Sequence, residues 1–171
     1  MRKRWLFRPR WIARSIVPLA LVLAVSCTRA PSPARLYAIR ETAELEGWRV
    51  TVDSFSVLPP DAAFQPETGQ VLCSVELTLE NHSGQIRFMM PEKQMRLVSG
   101  GRTYVLDQSA AVMSARLRQW MVPEGEMSLG TKTHGAASYQ VPHGAEDVRW
   151  TFYTGLFPWS PSVTFVLGKL P

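Results

Sequence analysis

Val71-Leu-Cys-Ser-Val-Glu-Leu-Thr-Leu-Glu80 alternates with a period of two. Val71, Cys73, Val75, Leu77 and Leu79 take one phase, and Leu72, Ser74, Glu76, Thr78 and Glu80 take the other. Successive side chains of a strand point to opposite faces, so the run predicts a strand with one core face and one mostly wet face. Asn81-His-Ser-Gly84 ends it as a turn, with Asn81 suited to left-handed backbone angles.

The same pattern extends in both directions. Upstream, Trp48, Val50 and Val52 alternate with Arg49, Thr51 and Asp53, and Phe55 and Val57 then take the opposite phase. One extra residue flips the phase of a strand, which predicts a bulge near Asp53-Ser54. Downstream, Met95–Val98 and Thr103–Leu106 flank Ser99-Gly100-Gly101, a hairpin signal. Met127–Thr131, Ala136–Val141, Val148–Tyr153 and Val163–Leu167 read as further strands, and Ser109–Met121 as the one stretch able to hold a helical turn. Short strand runs separated by glycine- and proline-rich turns predict an all-β, antiparallel β-sandwich.

The N-terminus does not belong to that sandwich. Six basic residues (Arg2, Lys3, Arg4, Arg8, Arg10 and Arg14) and no acid fall within residues 1–26; the first acid of the chain is Glu41. A short apolar stretch, Ile16–Val25, and then small residues follow. A basic region, a brief apolar core and a small-residue cleavage zone make a secretory signal, and the core is short for a membrane span. Residues 1–26 are therefore expected to be a cleaved signal peptide. The whole chain carries 19 basic and 14 acidic residues, but from residue 27 onward there are 13 against 14, a net charge of −1. The high pI belongs to the export signal, and no basic patch for nucleic acid remains.

Leu23-Ala-Val-Ser-Cys27 resembles the bacterial lipobox, an aliphatic residue and two small ones before a cysteine. That resemblance implies a diacylglycerol on the Cys27 thiol and a lipid anchor in the membrane. Residues 27–35, with Pro31 and Pro33, form the tether, and 36–171 the sandwich. Thr28, where an acid would favour retention at the inner membrane, points by the same resemblance to an outer membrane if the cell has one. The expected location is extracytoplasmic, on the cell membrane or the outer membrane. With Cys27 lipidated, Cys73 has no partner in the chain for a disulfide.

Trp48-Arg-Val-Thr-Val52, Val75-Glu-Leu-Thr-Leu-Glu-Asn81, Leu97-Val-Ser-Gly-Gly-Arg-Thr-Tyr104, Val122-Pro-Glu-Gly-Glu126 and Gly135-Ala-Ala-Ser-Tyr-Gln-Val-Pro142 follow one another in a recognisable order. Together they resemble the telokin-like, immunoglobulin-like domains of bacterial surface lipoproteins, over roughly residues 45–154. The resemblance implies an immunoglobulin-like sandwich similar to the mycobacterial immunoprotective extracellular protein. It implies no shared activity. Glu124 interrupts the Pro-Gly-Glu block, and Tyr139 stands where phenylalanine is commoner.

The candidate chemistry is sparse. Cys73 is in phase with the core and reads as an inert buried thiol. His82, His134 and His143 fall at turn-like positions; with Met89, Met90, Met95, Met113, Met121 and Met127 they raise the alternative of a copper carrier. No His-x-Met pair occurs, and no metal or other cofactor is expected. Glu41, Glu44 and Glu46 read as a solvated charged segment. No nucleophile–base pair stands out, so the chain is expected not to be an enzyme. The suggestive segment is Gly155-Leu-Phe-Pro-Trp-Ser-Pro161. If exposed, Leu156, Phe157 and Trp159 form an aromatic patch for a partner; if folded back, they plug the end of the sandwich. Trp120, with Arg116, Arg118 and Met121, forms a second candidate contact strip. The expected partners are the membrane, through the anchor, and an envelope protein or other envelope component.

Overall fold

The computed structural model describes residues 35–60, 64–107, 109 and 121–170. Cys27, Trp120, Arg116, Arg118 and most of the proposed 109–121 helical turn lie outside the described residues. Among those described, no helix is long and apolar enough to cross a membrane.

Two sheets dominate. The first contains β2 (Thr42–Leu45), β3 (Trp48–Leu58), β4 (Gln70–Asn81) and β9 (Lys132–Pro142), in the order β2-β3-β4-β9. The second contains β1 (Leu36–Ala38), β6 (Met95–Ser99), β7 (Arg102–Val105), β10 (Val148–Tyr153) and β11 (Ser162–Gly168), in the order β1-β11-β10-β6-β7. A short pair, β5 (Arg87–Met89) with β8 (Gly125–Met127), forms a separate ribbon, and a single helical turn, α1 (Pro91–Gln94), leads into β6. Strands β3-β4-β9 take the places of A-B-E, and β7-β6-β10-β11 those of C′-C-F-G, in an immunoglobulin-like sandwich.

The two inner faces meet in a core rich in aromatic side chains. Trp48, on the first sheet, packs edge-on against Phe152 of the second, with ring centroids 5.5 Å apart. Trp150 stacks near Phe152 and Phe165, and its indole N–H donates to the Tyr139 hydroxyl across the sandwich at 2.9 Å. Cys73, Val75, Leu77 and Leu79 are all buried in this core, so the opening decamer does form a strand with that face inward. The predicted bulge is present: the β3–β4 register slips between Val52 and Ser54, leaving Asp53 as the extra residue. The hairpin is also as expected. Ser99 pairs with Arg102, and Gly100 and Gly101 have φ of 55° and 74°, angles that a two-residue turn of this hand requires.

Several expectations need correction. The sheets are antiparallel except at one edge, where β1 runs parallel to β11. An N-terminal strand arriving beside the last strand can supply that edge without a crossover. The outer face of β4 is not uniformly wet. Leu72 is 1% exposed and packs with Leu58 and Phe64 in a satellite cluster, and Ser74 is buried on the same face. Met127–Thr131 is not one strand: β8 ends at Met127, and a turn through Gly130 leads into β9 at Lys132. Asn81 does not adopt left-handed angles; Arg40, Glu46 and Asp147 are the non-glycine residues that do among those described.

Gly135 shows why a strand needs a glycine at one point. The 121–122 segment crosses β9 there, joined by a Met121–Ala136 bridge. A Cβ on Gly135 would lie 2.8 Å from both Cα and N of Val122. Those are backbone atoms that cannot rotate away, so absence of a side chain is a packing requirement.

Candidate contact site at one end of the sandwich

The loop between β10 and β11 is held at its base. Thr154 N donates to the Pro161 carbonyl at 2.9 Å, and Ser160 N donates to the Phe157 carbonyl at 3.0 Å. Thr154 Oγ1 donates to Glu46 Oε2 at 2.7 Å, with the Pro161 carbonyl a second acceptor at 3.1 Å. The Trp48 indole N–H reaches the Thr154 carbonyl at 3.3 Å. Ser160 packs closely over Gly155, where a Cβ would sit 2.7 Å from Ser160 Oγ and displace that hydroxyl. Glu46 itself occupies the β2–β3 turn with φ of 49°, and Arg87 donates to its carbonyl.

On this braced loop the apolar side chains face outward. Trp159 is 80% exposed, Phe157 57% and Leu156 39%. The rings of Phe157 and Trp159 stack on each other at 4.9 Å with a 7° interplanar angle. Stacking favours this arrangement of the two rings, by about 1 kcal/mol, which lowers the ordering cost of a contact. The plug is instead supplied by Trp48 and Phe152, which fill the core beneath the loop. Met121, from the second candidate strip, is also exposed.

Sequence reasoning missed the residues that brace the loop. Glu46 reads as a solvated acid, yet it binds Thr154, 108 residues away in the chain. Glu44 and Glu41 are engaged too: Glu44 accepts from Arg49 at 2.8 Å, and Glu41 pairs with Arg35 and accepts from Ala38 N at 3.0 Å. The Ala38 N–H, and then Arg35, hold the Glu41 carboxyl below its usual range. Glycine after glutamate at Glu46-Gly47 was the available signal for this turn, and Gly47 has φ of 77°.

The remaining candidates lie elsewhere. His82 follows β4 and comes within 3.6 Å of Glu80. His134 is not in a turn but within β9, where Nδ1 lies 3.2 Å from Asp53 and 3.3 Å from Thr78 Oγ1. Met89, Met95 and Met127 are buried in the core, whereas the His82 and His134 side chains are exposed. Among the described residues, no three His, Cys, Asp or Glu side chains converge on one point.

Cys73 is fully buried, and its thiol donates to the Tyr139 carbonyl at 3.4 Å. Burial pushes the thiol up to about 12 from 9.0. A group that ionises less readily when folded destabilises the fold as pH rises through its unfolded pKa. Between pH 7 and pH 10.5 the Cys73 thiol should therefore lower stability by about 2 kcal/mol. Urea unfolding of wild type and Cys73→Ala at the two pH values checks this. The variant should lose that much less than wild type, and equal losses would show that the thiol titrates freely.

No family model and no curated protein matches the chain, whereas solved structures do. It is similar in fold to a candidate lipoprotein, ycdA, from Bacillus subtilis, with a TM-score of 0.58 and 13% identity. That match covers 74% of this chain but only 38% of the other, so this chain spans well under half of it. It is also similar to the yjhA protein of Bacillus subtilis, at a TM-score of 0.56 and 13% identity, over 77% of this chain and 99% of that one. A functionally unknown protein from Listeria monocytogenes matches at a TM-score of 0.50 and 9% identity, over 77% and 81% of the two chains. At such identities the likeness is one of fold.

Proposed function

We propose that this chain is a lipid-anchored, non-catalytic module of the bacterial cell envelope. In this reading residues 1–26 export it, Cys27 carries the lipid, and the 155–161 loop meets an envelope component. The location is extracytoplasmic, on the cell membrane or the outer membrane. The observation that carries the reading is the stacked, outward-facing Phe157–Trp159 pair on a loop braced by Thr154 and Ser160. Large aromatic groups in a fixed, exposed geometry are the residue types that anchor interfaces. The lipobox-like Leu23–Cys27, the telokin-like blocks and the similarity to a candidate lipoprotein support the location. A thiol locked in the core, rather than presented to solvent, supports a role without covalent chemistry.

The test uses two variants in cells. Wild type should incorporate labelled fatty acid and sediment with membranes, and Cys27→Ser should lose both. Phe157→Ala/Trp159→Ala should retain both and keep its stability within about 1 kcal/mol, since exposed positions contribute little to folding. It should lose the in-cell crosslinks made by wild type. Unfolding of the double variant would return the loop to the role of a core plug, and membrane retention of Cys27→Ser would end the lipid-anchor reading.

A further inference from the structure

The parallel edge strand places the two ends of the proposed anchor on the same side of the domain. Strand β11 starts at Ser162, directly after the aromatic loop, and runs away from it. Strand β1 runs in the same direction beside it, with Leu36 opposite Thr164. The chain therefore enters the sandwich at the end that carries Phe157 and Trp159. Had β1 been antiparallel to β11, the entry would lie at the far end, near the Glu146–Lys169 and Asp147–Arg149 ion pairs.

Eight residues, 28–35, separate Cys27 from Leu36. Fully extended, the nine steps from Cys27 to Leu36 reach at most roughly 32 Å. A lipid on Cys27 thus keeps this end, not the opposite one, within a short distance of the bilayer. Other exposed apolar side chains belong to the same end. Ile86 is 62% exposed between Gln85, bonded to Asn81, and Arg87, bonded to Glu46. Leu129 is 62% exposed in the turn whose Gly130 and Thr131 pair with the Asn81 backbone. Leu36 itself is 45% exposed.

We infer that the 155–161 loop docks into the lipid interface of the membrane to which the chain is tethered, with Trp159 and Phe157 at headgroup depth. Tryptophan favours that depth because its ring is apolar and its N–H remains hydrated. Glu44 and Glu80 share Arg49, and Arg87 reaches only the main-chain carbonyl of Glu46, so these two arginines do not outnumber the three acids beside them. Docking is therefore apolar rather than electrostatic, and insensitive to salt. The tether does not hold the domain clear of the surface; it limits how far the domain leaves it. This inference rests on lipidation of Cys27.

The full chain, produced in bacteria and reconstituted in protein-free phosphatidylcholine vesicles, tests it. The emission difference between wild type and Trp159→Phe reports Trp159 alone. That difference should lose most of its intensity in vesicles of phosphatidylcholine brominated near the headgroup, and little on addition of iodide, at low and high salt alike. Wild type that fails to float with the vesicles would overturn both the anchor and the docking. Wild type that floats, with Trp159 open to iodide and untouched by bromolipid, would overturn the docking alone and give the loop to a protein partner. Melting of Trp159→Phe at the wild-type temperature ensures that the difference does not reflect altered folding.

Discussion

Replacing Asn81 with alanine should cost the domain about 4 kcal/mol, a large share of the stability of a chain this size. The side chain makes four hydrogen bonds at the end of β4. Its amide nitrogen donates to the Met127 carbonyl at 2.8 Å and to the Gln85 carbonyl at 2.9 Å. Its oxygen accepts from Ser83 Oγ at 2.7 Å and from Ser83 N at 3.1 Å. Asn81 is fully buried, so water cannot replace these partners, and each group left unpaired costs about 1–3 kcal/mol. Substitution by aspartate is a sharper probe. A carboxylate would face two carbonyl oxygens where an amide donated, which raises its pKa in the folded state. Stability of Asn81→Asp should therefore be higher below the unfolded pKa of aspartate, about 4, and fall as pH rises through the raised folded value. Urea titrations at pH 4 and pH 7 measure both effects. A loss under about 1 kcal/mol for Asn81→Ala would mean that the loop between β4 and β5 does not depend on this side chain.

The Asn81 network also shows what a sequence can and cannot disclose. The Leu-Glu-Asn block marks a strand end, and a strand ends there. The residue acts through its side chain rather than through unusual backbone angles, because that side chain ties the following turn, at Ser83 and Gln85, to the end of β8 at Met127. Alternation is a local property, so Trp48–Val52, the phase change at Asp53 and the Gly100-Gly101 turn could be read directly. Burial of Leu72 depends on Leu58 and Phe64 folding over its face, and period-two patterning cannot report that. The parallel pairing of β1 is likewise non-local: three residues carry no directional signal of their own. Yet that pairing decides which end of the sandwich meets the tether. The aromatic loop was visible as composition, but its exposure depended on Trp48 and Phe152 having already filled the space below.

Tyr139 is the departure from the resembled family that the structure explains. Its hydroxyl accepts the Trp150 indole N–H at 2.9 Å, in a part of the core where both residues are fully buried. Phenylalanine at this position would leave that N–H without the hydroxyl. Tyr139→Phe should accordingly lose about 1–3 kcal/mol, although it removes no apolar surface. Burial also pushes the tyrosine hydroxyl's pKa up, so it stays protonated across the working range.

Trp150→Ala should be more damaging, at about 5 kcal/mol. Truncating a buried tryptophan forfeits contacts and leaves a cavity worth about 3–5 kcal/mol, and the Tyr139 hydroxyl loses its donor as well. The packing and polar contributions separate in a double-mutant cycle. Trp150→Phe alone strands the hydroxyl, Tyr139→Phe alone strands the indole N–H, and the two together leave neither group unpaired. The double variant should therefore be destabilised by about 1–2 kcal/mol less than the sum of the single changes. Chemical denaturation of the four proteins at pH 7 gives the coupling. A strictly additive cycle would mean that the 2.9 Å contact contributes no coupling, and that the two sheets are joined at this point by packing alone.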